Sequence, residues 1–162
     1  MRSITLSVIT LALVVASAAA TAAQGSGHYY NHTTSTKKIT LPNGNTAILS
    51  QFFEMTTTDN ANDPMNHLAG SCSSQSIVSR DGKTLAGSGV CFSKDSDGNS
   101  LTHWFKLDEA GTARCPHGCG SYGYLAGTGK FKGVTGGGTW KQTHKFGDAA
   151  SSGSFSGTWK MP

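Results

Sequence analysis

The glycine-rich segment over residues 125–140 constrains the fold of this chain more than any other part of the sequence. Three clusters of glycine lie between short runs of β-type residues, and a strand with clean two-face alternation follows. Glycine at this density within a strand pattern indicates strongly coiled strands or β-bulges, which occur where a sheet closes on itself. The segment therefore predicts an architecture rather than a chemistry.

Residues 1–23 have the features of a secretory signal peptide. Arg2 provides a positive start, residues 4–15 form an apolar run too short to span a bilayer, and small residues at 18–22 offer cleavage sites. An uncleaved anchor is the alternative, but no basic stop-transfer cluster follows the apolar run. We expect a cleaved signal helix and a secreted or periplasmic protein that has no membrane contact after cleavage.

The remaining sequence predicts an all-β domain. Residues 24–35 are polar and are expected to form a flexible N-terminal arm, and residues 36–162 are expected to form the β-domain. No stretch after the signal keeps a helical period over more than two turns. Short links between consecutive runs favour antiparallel pairing, and about eight strands is a common number for a closed barrel. The strand-like runs lie near 36–41, 46–57, 67–79, 84–93, 100–108, 120–127, 136–146 and 152–161.

Four cysteines downstream of the signal indicate two disulfides, because an even cysteine count in an exported chain favours disulfides, and three pairings are possible. Counting outward from the Asp81-Gly82 turn pairs Arg80 with Lys83 and sets Cys72 opposite Cys91, at a separation that suits a disulfide. A bulge at Gly82 would shift this register by one residue.

Cys115 and Cys119 then remain as the second pair, on either side of a Pro-His-Gly loop. A zinc site is the alternative for these two thiols, but zinc needs more ligands than this segment offers. We therefore predict a disulfide here, with no metal site and no cofactor in the protein.

The run Gly127-Thr128-Gly129-Lys130-Phe131, with Gly133 and Gly136 behind it, resembles the glycine–phenylalanine motif of the allene oxide cyclase and dirigent-type barrels. Together with the hairpin over residues 87–98, it also resembles exported bacterial proteins of unassigned function related to that barrel. The resemblance implies the barrel fold. Dirigent proteins guide radical coupling and allene oxide cyclases close a ring on a fatty-acid epoxide, but no catalytic residue is carried over, because Val134-Thr135 stands where an arginine often follows the dirigent motif.

Alternation along the strands predicts a candidate ligand site inside the barrel. Polar side chains fall on inward faces that are otherwise aromatic or aliphatic, which is the usual composition of a small-molecule pocket. In the second strand the inward set is predicted as Ala47, Leu49, Gln51, Phe53 and Met55, which leaves Glu54 outside. The candidate ligand-binding residues are His103, Gln142, His144, Phe53, Phe105, Trp140 and Trp159.

Three functions remain open at this point. The first is the binding of a small, mainly apolar ligand in the barrel. The second is a cyclase, isomerase or dirigent-like enzyme on the same barrel, and the third is a protein-interaction module with a filled interior. The net charge of +4 is mild and the lysines are spread along the chain, so we expect no nucleic-acid partner. The oligomeric state is not predicted.

Overall fold

The computed structural model describes residues 22–161, which form a closed, antiparallel barrel of eight strands in chain order. Every strand pairs with its neighbours in sequence, and the first strand pairs with the last. No helix within this part of the chain is long and apolar enough to cross a membrane. The strands are β1 (Ala23–Thr40), β2 (Thr46–Thr58), β3 (Leu68–Val78), β4 (Thr84–Lys94), β5 (Ser100–Glu109), β6 (Cys119–Gly127), β7 (Thr135–Phe146) and β8 (Ala150–Lys160).

The structure confirms the predicted all-β class, the closed barrel and the eight-strand count. The prediction of a flexible arm over residues 24–35 is wrong, because this segment belongs to β1 and pairs with both β2 and β8. Its polar composition misled the prediction, yet Gly27 and Tyr29 are buried in it. The predicted signal peptide lies almost entirely outside the described residues.

Both predicted disulfides are present, between Cys72 and Cys91 and between Cys115 and Cys119. Cys72 lies directly opposite Cys91, as predicted, although the pairing of Arg80 with Lys83 is wrong. The turn closes with the Ser79 N–H donating to the Lys83 carbonyl, which shifts the register by one residue. A second irregularity between the pairs Ile77–Ala86 and Val78–Thr84 restores the register, so two opposite offsets produce the predicted disulfide.

Glycines in the strands provide space for aromatic rings that lie against the barrel wall. A Cβ atom built on Gly89 would lie 2.4 Å from the Phe105 ring, and one on Gly153 would lie 2.4 Å from the Tyr29 hydroxyl. A Cβ atom on Gly157 would lie 2.6 Å from the Tyr122 hydroxyl. Because each ring covers a residue with no side chain, the rings lie flat and leave the centre of the barrel open.

The two ends of the barrel differ. At the end that carries the β2–β3, β4–β5 and β6–β7 connections, six buried side chains form a cluster that we call the plug. At the other end, the strand ends around the β1–β2, β3–β4 and β7–β8 turns surround an opening that we call the mouth; Lys38, Gly82 and Gly147 lie there. The plug consists of Met65, Leu68, Leu101, Phe131, Val134 and Trp159.

Candidate functional site

A cavity of about 640 Å³ occupies the barrel above the plug and opens at the mouth. This volume lies in the range of pockets that hold drug-sized molecules. Small hydroxyl side chains, including Ser50, Ser74 and Ser76, line the half nearest the mouth. The larger apolar part of the wall is formed by Ile48, Phe52, Phe105, Tyr122, Trp140 and Phe155.

The carboxylate of Glu54 and the imidazole of His103 are in contact within this cavity. Glu54 Oε1 lies 3.4 Å from His103 Nε2, and the two side chains are only 11% and 15% exposed. Glu54 comes from β2 and His103 from β5, so the contact crosses the interior face of β3 and β4. Buried charged and polar groups are costly unless they are paired, so the barrel maintains this pair at the expense of a simple apolar core.

Two residues of β1 complete the surroundings of Glu54. The amide nitrogen of Asn31, in the orientation that the surrounding donors and acceptors require, donates to Glu54 Oε2 at 3.2 Å. Tyr29 lies in the same wall, and its burial together with the negative charge of Glu54 raises the pKa of its hydroxyl. Tyr29 therefore remains a neutral hydroxyl group beside the carboxylate.

Two further tyrosines line the cavity away from this pair. Burial raises the pKa of Tyr122 and of Tyr124, so both hydroxyls stay protonated. The two rings meet edge to face with centroids 5.8 Å apart. The Tyr122 hydroxyl is buried against Gly157 of β8, where a Cβ atom would lie 2.6 Å from it, so the ring of Tyr122 rather than its hydroxyl faces the cavity.

The structure brings together four of the seven residues that alternation selected. His103, Phe105, Trp140 and Gln142 line the cavity. Trp140 also donates from Nε1 to the Ser121 carbonyl at 3.2 Å, which fixes its ring against the wall. Trp159 points inward as predicted, but it lies in the plug rather than in the cavity wall.

The predicted orientation of β2 is wrong. Phe53 is 40% exposed on the outer surface, and Leu49 and Met55 lie there with it. The inner face instead carries Phe52 and Glu54, so Glu54 is inside and not outside as predicted. Both faces of this strand are apolar, and the outward face is the more apolar of the two, so hydrophobicity selects the wrong one.

The predicted inward orientation of His144 is also wrong. The register of β7 against β8 shifts between Gln142 and His144, so one extra residue lies on β7 at this point. This bulge inverts the alternation beyond Gln142. His144 is therefore exposed and stacks on Phe146, while Lys145 lines the mouth in its place.

Sequence reasoning missed Glu54, Asn31 and Tyr29. One signal could have identified Glu54: a buried histidine needs a hydrogen-bond partner, and Glu54 is the only acidic residue inside a strongly apolar strand. Nothing comparable was available for Asn31 and Tyr29, because their segment has the composition of a loop.

Comparisons with known proteins bear on the fold. No protein-family model matches the sequence, and no curated protein matches it. The chain is similar in structure to the pterocarpan synthase dirigent protein GePTS1, at 12% identity and a TM-score of 0.51, over 95% of this chain and 97% of that one. The pterocarpan synthase dirigent protein PsPTS1 aligns with a TM-score of 0.49 at 13% identity, over 87% and 96%. At this identity the first likeness shows a dirigent-like barrel fold.

Proposed function

We propose that the barrel binds a small, mainly apolar molecule that enters through the mouth and carries a polar group toward Glu54 and His103. The observation that supports this proposal is the buried Glu54–His103 contact in an open, aromatic-walled cavity of about 640 Å³. A protein that needed only a stable interior would fill this space with side chains, because cavities and buried charges both reduce stability.

The distribution of groups indicates the kind of ligand. Flat aromatic rings favour an apolar or aromatic body, and the pair with Asn31 offers both an acceptor and a donor at a single depth in the cavity. A molecule with a rigid apolar skeleton and one or two hydroxyl or carbonyl groups would satisfy these groups.

Native mass spectrometry of the protein purified from its own host tests whether a ligand is retained. A second test measures binding of the fluorescent probe 1-anilinonaphthalene-8-sulfonate. Ser76→Phe would place a ring inside the mouth, whereas the matched control Ser73→Phe places it on the outer face. We expect Ser76→Phe to abolish probe binding and the control to retain it. Equal binding by both variants would contradict an interior site.

An acid–base enzyme on the same barrel is the second candidate, and the Glu54–His103 contact is what favours it. A carboxylate that polarises an imidazole is a common arrangement for moving a proton near neutral pH. A cyclisation or isomerisation in the cavity would lose turnover in His103→Gln while ligand binding and fold remain. If His103→Gln instead loses binding and no turnover of the retained molecule is found with the wild-type protein, the binding function stands alone.

We also propose that the protein is exported. Two disulfides are compatible with an oxidising compartment, and the sequence of residues 1–23 supports the proposal. Cell fractionation and N-terminal sequencing of the natural protein test it. An N-terminus near Ala23 in the exported fraction would support export, whereas a chain that retains Met1 in the cytosol would contradict it.

A further inference from the structure

The Cys72–Cys91 disulfide lies beneath the Glu54–His103 contact. Both cysteines are buried, and their sulfur atoms and a Glu54 carboxylate oxygen lie within 4.8 Å of one another. His103 is the residue of β5 directly opposite Cys91. Glu54 lies opposite Gly70 on β3, so no side chain at that position separates the carboxylate from the sulfurs. We call these four side chains the floor cluster: Glu54, Cys72, Cys91 and His103.

The floor cluster combines the donor atoms that a borderline-soft divalent cation prefers. Thiolate, imidazole and carboxylate groups are the protein ligands of Zn²⁺, and four of them satisfy its tetrahedral preference. In the oxidised protein the two sulfurs are bonded to each other and the carboxylate and imidazole face one another. The chemistry of the cluster therefore depends on the state of one covalent bond.

We propose that reduction of the Cys72–Cys91 disulfide converts the floor cluster into a binding site for Zn²⁺ or a similar cation. A dithiol reductant supplies two electrons and two protons, is itself oxidised to a disulfide, and leaves two cysteine thiols. The cation then displaces the thiol protons to solvent and takes two thiolates, the imidazole and the carboxylate as ligands. Thiol–disulfide exchange with a disulfide oxidant, which takes up two electrons and two protons and leaves as thiols, forms the sulfur–sulfur bond again and releases the cation.

The site would differ from the second cysteine pair. Cys115 and Cys119 also lie within 4.8 Å of a carboxylate, that of Glu109, but the Glu109 carboxylate pairs with Arg114, whereas the Glu54 carboxylate lies 3.4 Å from the His103 imidazole. The floor cluster has the fuller ligand set and a buried, water-poor position. Cation binding at the floor cluster would also change the cavity, because the cation would hold Glu54 and His103 away from the proposed organic ligand.

Cobalt titration of the reduced full chain tests the proposal. All samples carry Cys115→Ser and Cys119→Ser, so that the only thiols are Cys72 and Cys91. Protein reduced with dithiothreitol and freed of it under anaerobic conditions is titrated with Co²⁺. We expect the thiolate-to-cobalt charge-transfer band and the visible bands of a tetrahedral site, and we expect neither in the oxidised protein. Competing Zn²⁺ should remove both.

The ligand variants decide the result. Glu54→Gln and His103→Gln should each weaken cobalt binding about tenfold or more, whereas Glu109→Gln should have no effect. Circular dichroism before and after reduction reports whether the barrel stays folded. Absence of the bands in the reduced protein would overturn the proposal. So would bands of equal strength in Glu54→Gln and His103→Gln, because binding would then need only two thiols, as it would in an unfolded chain.

Discussion

The plug and the mouth are built on the same eight strands, but they have opposite composition. At the plug, Phe131, Leu101 and Trp159 are almost completely buried. At the mouth, the strand ends carry serine, threonine and lysine around open space. A single barrel therefore has a packed core at one end of its strands and an accessible interior at the other.

Hydrogen bonds strengthen the plug end further. The Thr128 N–H donates to the Ser100 carbonyl at 2.8 Å, and the Thr128 hydroxyl accepts from the Ser100 N–H at 3.0 Å. Asp95 lies in the neighbouring turn with its side chain 5% exposed, and its carboxylate accepts a hydrogen bond from Asn99 and pairs with Lys130. These contacts join the β4–β5 turn to the β6–β7 connection. We therefore expect stability to be concentrated where the connections interlock, while the other end is free to vary.

The largest effect on stability is expected for Phe131→Ala. Phe131 is completely buried and packs against Gly127, where a Cβ atom would lie 2.5 Å from its own Cβ. We expect a loss of about 3–5 kcal/mol in the free energy of unfolding, because the substitution leaves a cavity in the plug. Urea denaturation measures this loss. Phe53→Ala on the outer surface is the control, and similar losses for both would contradict a plug that dominates stability.

The Glu54–His103 contact gives the next largest effect. His103→Leu leaves a buried carboxylate without its imidazole partner, and we expect a loss of about 3 kcal/mol. The double variant Glu54→Leu/His103→Leu should recover most of this loss, because it removes both polar groups. A double-mutant cycle measured by urea denaturation checks the coupling. Additive losses would show that the two side chains do not interact.

The same regions show what the sequence could and could not predict. β5 and β8 have no competing apolar face, and alternation placed His103, Phe105 and Trp159 inside correctly. In β2 both faces are apolar, and the choice depends on pairing between β2 and β3, which is long-range information. The bulge beside Gln142 has no local signature either, so His144 was misplaced.

The sequence indicates the barrel that carries the plug, but it does not indicate which side chains form the plug. The glycine–phenylalanine run indicated the barrel, and Phe131, its one aromatic residue, is completely buried. Met65, however, comes from the β2–β3 connection, and a loop residue carries no alternation that could assign it to the interior. Contacts between connections therefore had to be read from the structure.

A pH-dependent effect is expected from Asp95 at the plug end. Burial alone would raise the pKa of this carboxyl, but hydrogen bonds from Asn99 and Lys130 outweigh it and lower the pKa from 3.8 to about 2. A lowered pKa in the folded state means that the stabilisation is present above pH 3.8 and is lost as the pH falls toward 2. Asp95→Ala should cost about 2 kcal/mol at neutral pH, since hydrogen bonds to a charged group are lost.

Thermal unfolding of Asp95→Ala and wild type between pH 7 and pH 2 measures this effect. The two midpoints should differ at neutral pH and converge as the wild-type carboxyl becomes protonated. Asp97→Ala, in the same turn, is the control. A constant difference across the whole range would assign the loss to the altered turn rather than to the charge of Asp95.

The smallest expected effect is the difference between two glycine substitutions, one at each end of the barrel. Gly147 and Gly129 both have positive φ, of 63° and 56°. A Cβ atom at Gly147, near the mouth, meets nothing within 4 Å, so Gly147→Ala should cost only the backbone term of about 1 kcal/mol. At Gly129 the Cβ atom would lie 1.7 Å from Asn99 Oδ1, and Asn99 would have to move away from Asp95. Gly129→Ala should therefore cost about 1 kcal/mol more in urea denaturation. Equal losses in the free energy of unfolding would mean that the connections at the plug end accommodate a Cβ atom as easily as the turns at the mouth do. The contrast between the two ends would then depend on the buried side chains alone.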